Sequence, residues 1–153
     1  LACKGKYIVA VGRGSAMDTS KAIRKFVGQI DETYHPELIC IPTTSGTGSE
    51  VTSFAVISDT EHNTKIPLIS DDMTPEEAIL DEVLVKSVPK SITADTGMDV
   101  ITHAMESYVS LNNNEFSGAL AEKAVEICGQ FLLRSYKCIS RPVLQGLRLI
   151  RPR

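Results

Sequence analysis

Asp99 and His103 are the two side chains in this sequence whose types and spacing most directly suggest chemistry. They belong to Thr96-Gly97-Met98-Asp99-Val100-Ile101-Thr102-His103-Ala104-Met105-Glu106-Ser107-Tyr108, which opens on Thr-Gly and then runs without glycine or proline. That pattern predicts a helix beginning at Thr96 and Gly97. Four residues apart, Asp99 and His103 fall on one face of such a helix. A carboxylate and an imidazole so placed can share a divalent cation such as Fe(II) or Zn(II). They can equally form a plain polar pair on a helix surface, a common use of this spacing. Glu106, one turn on, reads as part of a solvated face.

Two further stretches have the composition of ligand loops. Lys6 to Val11 is a short β-branched run ending in Gly12-Arg13-Gly14-Ser15. A helix should follow, with Ser15 as its N-cap and Ala16, Met17, Ala22, Ile23 and Phe26 as its apolar or small positions. Strand, glycine turn and helix present backbone N–H groups to a phosphate, although a tight turn needs glycine for its own reasons. After a second apolar strand, Leu38 to Ile41, comes Pro42-Thr43-Thr44-Ser45-Gly46-Thr47-Gly48-Ser49-Glu50. Small hydroxylated residues and glycines let a backbone close on phosphate or ribose oxygens. A flexible linker has a similar composition, but linkers rarely stand between two apolar runs.

The elements that must hold these loops divide the chain. Val51 to Ser58 and Ile66 to Ile69 flank the turn signal Asp59 to Thr64 and predict a β-hairpin. His62 and His35 lie in polar loops and are expected to face solvent. Ala78 to Asp81 reads as a last short buried strand. Ser87-Val88-Pro89-Lys90-Ser91 is the best boundary, because everything after it is helical. A turn at Leu111 to Glu115 leads to a second helix over about Phe116 to Tyr136, with Phe116, Leu120, Ala124, Ile127, Phe131 and Leu132 in register. The expected organisation is a partial α/β domain over 1–88, the start of an all-helical domain over 89–138, and an atypical tail over 139–153. That tail carries Arg141, Arg148, Arg151 and Arg153 without an acid.

Composition excludes several functions. A net charge of −3 and a pI near 5.6 give no basic face for nucleic acid. No apolar run nears the roughly 20 residues of a membrane span, and Leu1 opens no secretory leader. Cys3, Cys40, Cys128 and Cys138 show no CxxC pairing; buried thiols in a reducing cytoplasm are the expectation. The chain opens almost directly into a strand, which suggests a start inside a domain.

The motifs together resemble the iron-containing (group III) alcohol dehydrogenase family over about Lys6 to Tyr136. That family carries Gly-Gly-Gly-Ser-x-x-Asp-x-x-Lys near the dinucleotide pyrophosphate; Gly12, Gly14, Ser15, Asp18 and Lys21 match, while Arg13 replaces a glycine. A side chain at Arg13 is expected to strain the turn if the position needs positive φ or close backbone approach; if the backbone tolerates it, the guanidinium can instead pair with phosphate, and strain is the favoured expectation. The family's Pro-Thr-Thr-x-Gly-Thr-x-x-Glu-Val-Thr is matched from Pro42 through Thr52. The phosphate loop of adenylate-forming ligases shares Thr-Ser-Gly-Thr but departs at Gly48, Ser49 and Glu50. The resemblance implies a Rossmann-like nucleotide-binding part followed by a dehydroquinate synthase-like helical metal domain, facing each other as hydride transfer requires. It implies NAD or NADP held by Gly12, Gly14, Ser15, Asp18, Thr43, Thr44, Thr47 and Lys65, and Fe(II) (Zn(II) as the alternative) held by Asp99 and His103. It also implies an alcohol or aldehyde substrate and a homo-oligomeric parent enzyme. Further metal histidines of the family lie downstream, and no histidine follows His103. The chain is therefore expected to be an internal fragment, inactive alone. A glycerol dehydrogenase or dehydroquinate synthase relative, and a non-catalytic truncated product, are the alternatives.

Overall fold

The computed structural model describes residues 4–137 and the backbone of 148–150. Strands β1 (Tyr7–Gly12), β2 (Glu37–Pro42) and β5 (Glu77–Leu80) run parallel, and β6 (Arg148–Ile150) adds antiparallel to β5, in the order β1-β2-β5-β6. Parallel neighbours need a crossover, and helix α1 (Gly14–Ile30) supplies the one between β1 and β2. β3 (Phe54–Asp59) and β4 (Thr64–Ile69) form a separate antiparallel hairpin. A one-turn helix α2 (Glu82–Val85) leads to α3 (Lys90–Val109) and α4 (Glu115–Lys137). The start is thus α/β and the remainder helical. The expected tail lies outside the described residues, β6 excepted.

The described chain forms two compact units. One contains β1 to β5, α1 and β6; the other contains Thr44–Thr47 together with the chain from Val83 through α4, so the division falls inside α2. In the first unit, Ala10 of β1, Leu38 and Cys40 of β2 and Met17 of α1 are buried together, with Ile8 packed against them. Period-2 alternation places Ile8 and Ala10 on the helix side and leaves Tyr7, Val9 and Val11 exposed. Fully buried Leu38 and Met17 are each worth about 1.5–3 kcal/mol. Arg24 of α1 forms a two-pronged ion pair with Glu76 and donates to the Thr74 carbonyl, while Glu76 also accepts from the Leu38 amide. One guanidinium therefore locks helix, sheet and the approach to β5.

Three local expectations are corrected. Helix α1 starts at Gly14 with Arg13, not Ser15, as N-cap, and no side chain caps it. Helix α3 starts at Lys90, so Thr96 and Gly97 lie inside it rather than at its start. Pro89 suits the N-cap with φ −58°, and its carbonyl accepts from the Thr93 amide. Interior Gly97 lies against α4: a Cβ there would lie 2.2 Å from Leu132 Cδ1, so a side chain at this position requires Leu132 to move. The third correction is the face of α4. Gly118 and Ala121 are buried whereas Phe116 and Leu120 are 84% and 72% exposed. Of the expected stripe, Ala124 and Leu132 are partly buried, Leu132 against Gly97 of α3, while its N-terminal members Phe116 and Leu120 face outward. Asn114 caps α4 by accepting from the Phe116 and Ser117 amides, both at 3.0 Å, a contribution of about 1 kcal/mol.

Of the cysteines, Cys40 is fully buried and Cys128 half-buried, both as free thiols; Cys3 and Cys138 lie outside the described residues. Burial pushes the Cys40 thiol up to about 11, so almost no thiolate exists near neutrality. Brief iodoacetamide labelling at pH 8 should modify Cys128 roughly tenfold to a hundredfold faster than Cys40, read by peptide mass spectrometry. Equal labelling would contradict this core.

Candidate metal and dinucleotide sites

Asp99 and His103 project from one face of α3 and remain partly open, 42% and 56% exposed. Gly97 and Ala104, on the same helix, are buried. Asp99 Oδ1 and His103 Nε2 stand 3.6 Å apart, beyond hydrogen-bonding distance. Two donors of one tetrahedral ion, each about 2.1 Å from it, lie roughly 3.4 Å apart. The pair therefore fits as two ligands of one cation with little movement. Among the described residues, no group of three His, Cys, Asp or Glu side chains could hold a metal. Glu106 is exposed, as a solvated face requires.

The glycine turn is built by the ends of β1 and β2, which are in register at Gly12 and Pro42. Gly12 has φ +155°, and a Cβ there would lie 2.8 Å from that of Ala16, so glycine is required. Its carbonyl accepts from the Thr43 amide at 2.9 Å. The glycine turn and the first residue of the hydroxyl-rich loop thus meet at the carboxyl ends of parallel strands, where open α/β sheets take their ligands. Gly14 is buried at the first helical position and Ser15 is exposed. The Ala16 and Met17 amides donate to the Arg13 carbonyl and no side chain caps the helix, so the Gly14 and Ser15 amides form its anion-friendly end.

Arg13 corrects the expectation of strain. Its φ of −81° and ψ of 178° are extended backbone that any residue adopts, and its side chain is exposed. The position needs no glycine in this chain.

Thr44 is buried and Thr47 half-buried in the segment that belongs to the helical unit. Between them, Gly46 lies so close to α3 that a Cβ would meet Thr96 Cβ at 2.6 Å and Thr96 O at 2.7 Å. Gly48, with φ +64°, then turns the loop into a short 3₁₀ turn at Ser49–Val51. Lys65 is exposed on β4 opposite Ser58. His62 is also exposed and pairs with Asp59 at 2.7 Å, closing the hairpin turn.

Asp18 and Lys21 occupy a different setting from the open loops. Lys21 is completely buried; its Nζ donates to Ser49 Oγ and Thr52 Oγ1, both at 3.1 Å, and to the Phe54 carbonyl at 2.9 Å. Desolvation lowers its pKa, opposed chiefly by the Asp18 charge. Asp18 accepts from Ser49 Oγ at 2.6 Å and from the Val56 amide at 3.1 Å. Both carboxylate oxygens therefore have partners inside the chain, unlike those of a residue reaching for a cofactor. Ser49 and Thr52 were not singled out from sequence. The signal was present: the Asp-x-x-Lys spacing puts two opposite charges on one face of α1, and each needs buried partners.

The iron-containing alcohol dehydrogenase family matches residues 2–82, and the C-terminal part of the Fe-containing alcohol dehydrogenase family matches residues 93–140. This chain belongs to the iron-containing alcohol dehydrogenase family. It is 52% identical over 125 residues to the 1-propanol dehydrogenase PduQ of Citrobacter freundii, covering 82% of this chain and 34% of that protein. It is 38% identical over 145 residues to the NADPH-dependent butanol dehydrogenase of Clostridium saccharobutylicum, covering 86% and 37%. The solved sulfoacetaldehyde reductase of Bifidobacterium kashiwanohense, in complex with NAD+, superposes with a TM-score of 0.80 at 35% identity, covering 88% of this chain and 39% of that one. The chain thus spans a little over a third of the length of these relatives. An α/β part precedes a helical one in this chain, and no described helix is long and apolar enough to cross a membrane.

Proposed function

We propose that this chain provides the pyrophosphate-binding turn and two metal ligands of an NAD(P)-linked, metal-dependent alcohol dehydrogenase. The observation that carries the reading is the Asp99–His103 pair, with open donors 3.6 Å apart on one helix face in a member of an iron-containing family. The chemistry supplied from outside the chain is Lewis-acid activation of an alcohol by the metal and acceptance of hydride by the nicotinamide. Asp99 brings negative charge suited to a hard ion and His103 a borderline nitrogen, so Fe(II) is the favoured metal and Zn(II) the alternative. Gly12, Gly14 and Ser15 approach the pyrophosphate through the backbone of the turn, and Ser15 and Thr43 add their hydroxyls. Thr44 and Thr47 continue that loop, and Lys65 offers its ammonium from the hairpin. Small primary alcohols and their aldehydes are the substrates that fit the named relatives, 1-propanol and butanol dehydrogenases.

The test is a graft of residues 6–136 into a full-length relative, assayed for NAD(P)H formation with short alcohols and Fe(II). Alcohol-dependent turnover is expected from the graft, and none from the 153-residue chain, whose described residues offer two metal donors where catalytic sites use at least three. A folded graft that binds NAD+ but does not turn over would overturn the reading.

Arg13 gives a smaller prediction. With its backbone unstrained and its guanidinium exposed beside the first turn of α1, it should assist phosphate binding. Arg13→Gly should therefore weaken dinucleotide binding by about 0.2–1 kcal/mol, a several-fold rise in Kd at most. Calorimetric titration of both forms checks it; tighter binding by the glycine form would restore the strain argument.

A further inference from the structure

We propose that Lys21 is a positioning residue for dinucleotide binding: with Asp18 it clamps the Ser49–Thr52 turn and the Lys65 hairpin to helix α1. The inference rests on the dinucleotide reading above and assigns a job to two residues that otherwise look like additional ligand contacts.

Lys21 is fully buried, so no dinucleotide can touch its ammonium. Its three donors are matched by three acceptors drawn from one short stretch: Ser49, Thr52 and the Phe54 carbonyl. One turn earlier on α1, Asp18 takes Ser49 Oγ and the Val56 amide. Ser49 is therefore shared, accepting from the lysine and donating to the aspartate. Phe54 and Val56 belong to β3, whose partner β4 carries Lys65 opposite Ser58. One to two turns before Asp18 and Lys21, at the N-terminus of α1, stand Gly14 and Ser15, and Gly12 holds the Thr43 amide. The helix that carries the glycine turn is thus tied by one buried ion-centred cluster to the Ser49–Thr52 turn and to β3, the strand paired with the Lys65 strand. A network in which every member has a partner rigidifies its surroundings, and losing one member leaves the others buried and unsatisfied.

The alternative is that the cluster stabilises the fold without any particular relation to ligand. Arg24 supplies the comparison, since it also braces α1, but to Thr74 and Glu76. The 153-residue chain is prepared as wild type, Lys21→Met and Arg24→Met, and titrated with NADH by fluorescence. Hydrogen exchange is followed in parallel. Lys21→Met is expected to raise the Kd for NADH by about tenfold or more. It should also speed exchange across residues 48–56 while the β1–β2 ladder stays protected. Arg24→Met should leave the Kd within about twofold of wild type despite a comparable loss of thermal stability. If Lys21→Met does not fold, Asp18→Asn, which keeps shape and one oxygen, should loosen the same segment and weaken NADH binding less. Equal Kd shifts in the Lys21 and Arg24 variants would overturn the proposal, as would unchanged exchange across 48–56. If the wild type binds no NADH, the dinucleotide reading and the positioning role built on it both fail; faster exchange in Lys21→Met would then show that the clamp exists without a ligand to serve.

Discussion

In a full-length relative carrying residues 6–136 of this chain, His103→Ala is expected to abolish most of the bound metal. The rate of alcohol oxidation should fall about a thousandfold or more, the size of effect that follows from removing several kcal/mol of metal-derived stabilisation. Dinucleotide affinity should stay nearly unchanged, because none of the residues assigned to the dinucleotide lies on α3. Asp99→Asn keeps the shape and one oxygen but removes the charge, so metal content should fall less steeply and shift away from iron. If the two residues were only a surface pair, either substitution would change stability by about 0.2–1 kcal/mol and leave metal content intact. Their 3.6 Å separation is too long for a hydrogen bond but within ion-pair distance, so metal content decides between the two. Metal analysis of the parent and both variants separates the outcomes.

The second large effect is expected at Gly46. An added Cβ would meet Thr96 Cβ, O and Cα at 2.6, 2.7 and 3.0 Å, two of them backbone atoms. Backbone of an established helix cannot step aside cheaply, so Gly46→Ala should destabilise the helical unit by about 1–3 kcal/mol. Thr96 lies one turn before Asp99, so the displaced loop would press directly on the metal helix. Gly97→Ala offers the contrast. Its Cβ would meet only Leu132 side-chain atoms, which can rotate, and a helical alanine recovers about 1 kcal/mol of propensity over glycine. Urea titrations should therefore rank Gly46→Ala well below wild type and Gly97→Ala much nearer to it. The reverse order would contradict the packing of this loop on α3.

The order of the elements was legible in the sequence; their exact ends and their packing faces were less so. The α/β start, the hairpin around Asp59–Thr64 and the two closing helices were legible because strand runs, turn residues and the Pro89 boundary agree locally. Asp99 and His103 share a face by helical geometry alone, wherever the helix begins. Its true start at Lys90 was hidden because Gly97 looked like a terminus; only contact with Leu132 explains a glycine there. The buried face of α4 was hidden for a related reason. Leu120 and Phe116 outweigh Gly118 and Ala121 in any hydrophobic pattern, yet the small pair is buried and the large pair exposed. Arg13 looked costly because family glycines stand there, whereas its extended φ carries no penalty. Asp18 and Lys21 were visible as a motif, but their partners lie some thirty residues on, beyond the reach of local spacing.

The most direct measurement is anomalous scattering at the iron edge from crystals of the full-length graft grown with Fe(II). The account predicts one strong peak about 2.0–2.2 Å from an Asp99 carboxylate oxygen and from His103 Nε2. A peak bound by other residues, with Asp99 and His103 left facing solvent, would contradict it.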